Sequence, residues 1–217
     1  MDSHSPDKPI QLHIRQGAKL PHWTRENAVY AVTFRLGDSL PSTVLSTLQR
    51  ERENILATAQ QMGRVLSKDE TKRMDYLHSE NIEAYLDAGH GACWLRDSRI
   101  APLVAGALQH FDGQRYELFA WCVMPNHVHV IFHPKPDHTL TDLLHSWKSY
   151  TASQANRVLQ RKGKFWMDEY YDHLIRDEQE FAHNVKYVLN NPIKAKLKDW
   201  PWVWASPALC NQHTAEV

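Results

Sequence analysis

Two runs of strand character, Tyr116 to Met124 and His127 to His133, are separated only by Pro125-Asn126. A link this short leaves no room for a crossover, so the two strands must pair antiparallel as a hairpin. Side chains on a strand alternate between its faces. Val128, Val130 and Phe132 therefore share one face of the second strand, the one that meets a core, and His127 and His129 share the other. At two residue rises the imidazoles stand about 7 Å apart along the strand, near enough to converge on one ion. Adjacent histidines on one face have no packing rationale. Neutral imidazole suits a divalent transition metal and is tolerated at Mg²⁺-type sites that carry oxygen ligands. Cys122, on the partner strand near the hairpin, offers a competing zinc site with His127 and His129, but no fourth ligand stands at a familiar spacing.

The rest of the chain supplies elements of both kinds. The first 27 or so residues read as polar and irregular, and Val29 to Leu36 reads as a strand. Gly37-Asp38-Ser39 turns the chain, and Pro41-Ser42 opens a long helix with Val44, Leu45, Leu48 and Ile55 at helical spacing. Residues 62 to 92 are heavily charged and read as a helical insertion, ended by Gly89-His90-Gly91. A helix from Asp97-Ser98 to Asp112-Gly113 precedes the hairpin, and another from Leu140 to Val158 follows it. Phe165 to Ile175 is extended, and a last helix runs from Asp177 to about Asn190, where Pro192 stops it. This order predicts one domain over residues 1–217, an α+β sandwich with a mainly antiparallel sheet and helices packed on one face.

Composition bounds the function more loosely. Lys+Arg and Asp+Glu are balanced at 25 each, so total charge points to no nucleic-acid partner. Distribution says more: from His145 to Phe165 the chain carries Lys148, Arg157, Arg161, Lys162 and Lys164 with no acidic residue, which reads either as a solvated helix face or as a phosphate-tracking patch. The three cysteines are too few and scattered for a disulfide framework or a CxxC zinc site. No apolar run is long enough to span a membrane, and the N-terminus lacks the apolar core of a signal peptide, so a soluble cytoplasmic protein is expected.

In the last helix Phe181, Val185 and Val188 make an apolar stripe, beside a polar stripe of Glu180, His183, Asn184, Tyr187 and Asn191. Tyr187 and Asn191, one turn apart, can meet one metal-bound phosphate if this helix crosses the histidine face. Spacing alone does not choose this tyrosine over Tyr150, Tyr170 or Tyr171.

His127-Val128-His129 resembles the His-hydrophobic-His signature of the tyrosine transposases of the insertion-sequence type, and most closely their REP-associated branch. Further segments are similar to that branch: Leu20-Pro21-His22-Trp23, Val32-Thr33-Phe34-Arg35 with Ser39-Leu40-Pro41, the block from Trp121 to His129, and Tyr187-Val188-Leu189-Asn190-Asn191-Pro192 leading to Trp200-Pro201-Trp202. The resemblance covers most of the chain. It implies a ferredoxin-like fold, His127 and His129 as metal ligands, Tyr187 as nucleophile, and Asn191 as third ligand where the wider family often has a glutamine. It implies a substrate of single-stranded DNA, in hairpin-forming palindromic repeats, and a monomer or a homodimer.

On this reading Mg²⁺ or Mn²⁺ sits at the histidines, with His183 as a candidate base for the tyrosine proton. Arg35, Lys148, Arg157, Arg161, Lys162 and Lys164 hold the DNA backbone, and Trp23, Trp147, Phe165 and Trp166 are candidates for base stacking. Two other functions fit the same residues: a non-catalytic nucleic-acid-binding module, and a metal-dependent phosphodiesterase that uses water as nucleophile.

Overall fold

The structure, a computed structural model, describes residues 13–16, 21–24, 28–71, 73 and 80–210. Near the N-terminus β1 (His13–Gln16) pairs antiparallel with β2 (Pro21–Thr24), a short ladder in a region that reads as irregular from sequence. Four residues per strand are too few for an alternating pattern to be legible.

The main sheet is built from β3 (Val29–Leu36), β4 (Tyr116–Val123), β5 (His127–Pro134), β6 (Trp166–Ile175) and β7 (Val203–Ala205). Its order is β6-β3-β5-β4-β7, with every neighbouring pair antiparallel. Helices intervene between β3 and β4 and between β5 and β6, so β3 to β6 trace the strand–helix–strand–strand–helix–strand path of a ferredoxin-like sandwich. β7 adds an edge strand of three residues, too short to announce itself in the sequence.

One face of the sheet carries the larger core. Tyr30, Val32, Phe34 and Leu36 of β3 and Val128, Val130 and Phe132 of β5 are buried there. Over them pack α3 (Ala101–Gln109), through Val104 and Leu108, and α4 (Leu140–Val158), through Leu143, Leu144 and Trp147. This is the helical layer the sequence predicts. The opposite face is apolar as well: Ala120, Cys122 and Ile131 are buried beneath α5 (Glu178–Lys194), which contributes Val188, Phe181 and Val185. A strand pair apolar on both faces must be covered on both. The histidine face is therefore roofed rather than open.

The helices α1 (Ser42–Gln61) and α2 (Glu80–Asp87) lean on each other through Leu45, Leu48, Ile82 and Leu86, with Leu40, just ahead of α1, in the same cluster. The segment after α2 is pinned to the turn that follows β3. Ala92 N donates to Asp38 Oδ2 at 2.9 Å, and a Cβ added to Gly91, whose φ is +86°, would come within 2.5 Å of Asp38 O. Among the described residues no helix is long and apolar enough to cross a membrane.

Candidate metal centre and tyrosine site

The β5 register explains how the histidines are placed. His127 lies opposite Arg35 on β3, and His129 lies opposite Thr33 on β3 and Cys122 on β4. Both rings are almost fully buried, at 1% and 3% exposure. Their Nε2 atoms face each other at 2.9 Å.

The other ring nitrogens are engaged by neighbours that orient them. Asn126 Nδ2 donates to His90 O at 3.0 Å, which turns its Oδ1 toward His127 Nδ1 at 2.8 Å. An amide oxygen only accepts, so His127 carries its proton on Nδ1 and presents a bare Nε2 lone pair to the site. Thr33 Oγ1 stands 2.8 Å from His129 Nδ1 and orients that ring. This is the arrangement of metal-ligating histidines whose far nitrogen is fixed by a second group. Burial holds His127 well below the ordinary imidazole value, with His129 and Lys194 adding to the effect, and burial with Lys194 puts His129 at about 3. Both are neutral near pH 7, the state that binds metal.

Helix α5 brings Tyr187 against this pair and carries Asn191 one turn further on. Its N-terminus is set by Asp177, whose carboxylate accepts from Glu180 N at 2.8 Å, while Glu180 reaches back to Arg176 N at 2.7 Å. Glu180 also takes His173 Nε2 on β6 at 2.6 Å, tying the helix to the sheet edge. The helix does not stop before Pro192 as the sequence suggests; it continues to Lys194. A proline this near the C-terminus forfeits only its own hydrogen bond, and Ala195 N still closes on Asn191 O at 2.9 Å.

Tyr187 stands edge-on to His129, ring centroids 5.5 Å apart. Asn191, one turn later, is 1% exposed. Tyr187 Oη and both side-chain polar atoms of Asn191 are buried and form no hydrogen bond among the described residues. Burial pushes the Tyr187 phenol well up, and the charge and proximity of Glu83 push it further, against a smaller opposing pull from Asn191. Glu83 belongs to α2, and Asp87 at the end of that helix pairs with Lys194 at 3.2 Å. Sequence reasoning missed these contacts, because nothing in the charged segment around α2 marks which carboxylates turn inward. It also passed over Asn126 and Thr33 as orienting groups, although Asn126 directly precedes His127.

One cavity is lined by Thr33, Glu83, His129, Tyr171, His183 and Tyr187. His183 sits exposed at its edge. Tyr171 shares the cavity, Tyr170 packs toward the larger core, and Tyr150 is 54% exposed on α4. Cys122 is on the histidine side of the sheet, but burial pushes its thiol up to about 12. Among the described residues no three of His, Cys, Asp and Glu come together so as to hold a metal ion, so the Cys122 zinc site fails. A cation at His127 and His129 must take further ligands of another kind, and the orphaned Asn191 amide offers an oxygen.

Of the candidate DNA-binding residues only Arg35 lies on the histidine face, as the cross-strand partner of His127. Lys148, Arg157, Arg161, Lys162 and Lys164 belong to α4 and the turn after it, the helix that packs the other face. Lys148 donates to Asp168 O at 2.7 Å, Lys164 pairs with Asp168 at 2.7 Å, and Arg161 donates to Lys164 O at 3.0 Å. Arg157, Lys162 and Lys164 are exposed. Trp147, Phe165 and Trp166, proposed for stacking, are core residues at 2–4% exposure. Two of them also have their indole N–H satisfied inside, Trp147 by Tyr116 Oη and Trp166 by Thr151 Oγ1. The side chain of Trp23, and Leu20, lie outside the described residues.

Residues 102–191, which hold both histidines, Tyr187 and Asn191, match the family described as transposase IS200 like. A REP-associated tyrosine transposase of Escherichia coli strain K12 is 29% identical over 92 residues, covering 40% of this chain and 53% of that protein. A Haemophilus influenzae protein provisionally named in the same way is 28% identical over 101 residues, covering 40% of this chain and 57% of its own length. The chain thus spans about half the length of the curated relatives it matches. A solved structure of a REP-associated tyrosine transposase bound to a REP hairpin is 16% identical, with a TM-score of 0.41, over 82% of this chain and 76% of that one. Over residues 102–191 the chain is thus similar to the IS200-like transposases.

Proposed function

We propose that this protein is a metal-dependent, cytoplasmic endonuclease and transesterase that cleaves and rejoins single-stranded DNA through Tyr187. The observation that carries the reading is the convergence of unsatisfied groups. Two buried histidines with facing Nε2 atoms meet an orphaned phenol that packs edge-on to one of them, and an orphaned amide follows one turn along the same helix. Buried polar atoms without partners are costly, and they are kept where a ligand completes them.

His127 Nε2, His129 Nε2 and the Asn191 oxygen are the groups that would hold Mg²⁺ or Mn²⁺, whose charge would polarise a scissile phosphate and stabilise its transition state. The Tyr187 oxygen attacks phosphorus, the P–O3′ bond breaks, and the 3′-oxygen leaves as a hydroxyl after taking a proton. The product is a 5′-phosphotyrosine. One phosphodiester has replaced another, so a second 3′-hydroxyl can reverse the step on a new strand without ATP. The buried phenol must give up its proton during attack. Glu83, beside it, and His183, at the cavity edge, are the bases in reach of that environment. The likeness to the IS200-like family and to the REP-associated relatives favours hairpin-forming palindromic repeats as substrate.

The test is to incubate labelled single-stranded hairpin DNA with the protein and Mn²⁺ or Mg²⁺, then separate products on a denaturing gel. The expected result is a protein–DNA adduct that disappears with EDTA, with His127→Ala and with Tyr187→Phe. Cleavage without an adduct would establish water as nucleophile instead, and binding without cleavage would leave a binding module.

A further inference from the structure

Beside the histidine cavity lies a second cleft, which shares Thr33, Glu83 and Tyr171 with it. Leu45 and Leu48 of α1 and Met167 of β6 line it. Two guanidinium groups, Arg35 and Arg52, and one further carboxylate, Glu169, reach into this apolar space. Arg35 is the cross-strand partner of His127, so the cleft begins in the same row of the sheet as a proposed metal ligand.

Arg35 Nη1 and Arg52 Nε are buried, and neither meets a hydrogen-bond partner among the described residues. Burial brings Arg35 down to about 10, with the charge of Glu169 opposing. Burial lowers Arg52 too, opposed by Glu169 and then Glu53. Orphaned donors on partly desolvated cations weigh against folding unless something supplies acceptors.

We propose that this cleft holds one unstacked nucleotide of the DNA strand, next to the phosphate at the histidines, its base in the apolar slot and its acceptors on Arg35 and Arg52. The proposal rests on the DNA reading above. A nucleobase is the occupant that uses every feature of the cleft. Its flat faces fit against the α1 leucines and Met167, its ring acceptors meet arginine donors, and a ring N–H meets the Glu169 carboxylate. A bare phosphate would face two carboxylates and an apolar wall, and an apolar ligand would leave the arginines unpaired.

The experiment is saturation-transfer NMR of the full chain with dAMP, dGMP, dCMP and dTMP at millimolar concentration, with thermal unfolding as the check on folding. Gln49 is exposed and lines the cleft, so Gln49→Trp fills it from the solvent side. Arg52→Met keeps the side-chain stem and removes the donors. The expected result is transfer to the base protons of at least one nucleotide, lost in Gln49→Trp and weakened roughly tenfold in affinity in Arg52→Met. If Gln49→Trp does not fold, Arg52→Met decides. No transfer to the wild-type chain, or transfer unchanged by the variants, overturns the proposal. Running the adduct assay on the same protein separates the two readings. An adduct without nucleotide binding removes the slot and leaves the cleavage reading. Nucleotide binding without an adduct leaves the slot and removes the cleavage reading.

Discussion

The ring of Tyr187 meets that of His129 edge-on, planes at 87° and centroids 5.5 Å apart, with the phenol oxygen buried and unbonded. That hydroxyl makes no hydrogen bond among the described residues, so it contributes little to holding the fold together. Tyr187→Phe is therefore expected to leave unfolding free energy within about 1 kcal/mol of wild type, or slightly above it, while abolishing the DNA adduct. Denaturant unfolding and the gel assay together check this. A variant that unfolds easily would show that the hydroxyl is structural.

Asn126 fixes the tautomer of His127 and ties the β4–β5 turn to His90 O. Asn126→Ala removes both contacts and frees His127 to rotate. Mn²⁺ affinity, read by calorimetry on the protein without DNA, is expected to fall about 10- to 100-fold. The lost buried hydrogen bonds should cost about 1–3 kcal/mol of stability. Unchanged metal affinity would mean that His127 is held by packing alone, or that it does not ligate.

The two histidines also predict how the metal-free protein responds to acid. Both are depressed below the ordinary value of 6.5, His129 to about 3, chiefly because burial penalises the charged ring. The unfolded chain then binds protons that the folded one refuses as pH drops below 6.5. Stability is full above that value and declines toward the folded value near 3. From neutral pH down to pH 5, each histidine should remove about 2 kcal/mol from the unfolding free energy. Urea titrations in EDTA should show this slope, and His129→Gln should flatten it. A flat wild-type profile would mean that the rings are solvated.

Much of this was legible in the sequence, for reasons that can be named. The hairpin was readable because two strands with a two-residue link admit one pairing, and alternation then put His127 and His129 opposite Val128 and Val130. The stripe of Phe181, Val185 and Val188 gave α5 its buried side, and Tyr187 and Asn191 followed one turn apart on the neighbouring stripe. That α5 lies over the histidines was not readable. It depends on Ala120, Cys122 and Ile131 making the second sheet face apolar, a fact about two strands at once. Trp147 and Trp166 looked available for stacking because indoles are ambiguous in sequence; their N–H groups are satisfied inside, by Tyr116 and Thr151. The inward turn of Glu83 and Asp87 depends on how α2 docks, and a run of alternating charges carries no trace of that.

Asp177 begins the helix that carries both Tyr187 and Asn191, and it does so through one carboxylate on Glu180 N. Glu180 returns the contact to Arg176 N and holds His173, so the helix start is fixed from the sheet as well as from its own cap. Asp177→Ala removes the cap and leaves the Glu180 contacts in place. The expected loss is about 1 kcal/mol, seen as a fall of about 2 to 4 °C in Tm. Adduct formation per folded molecule should stay at the wild-type level, because the tyrosine end of the helix is held independently by Val188 in the core and by the Asp87–Lys194 pair. If adduct formation falls much further than the folded fraction does, the cap sets the position of Tyr187 over the histidines, and the helix moves as a rigid rod pivoted at Asp177.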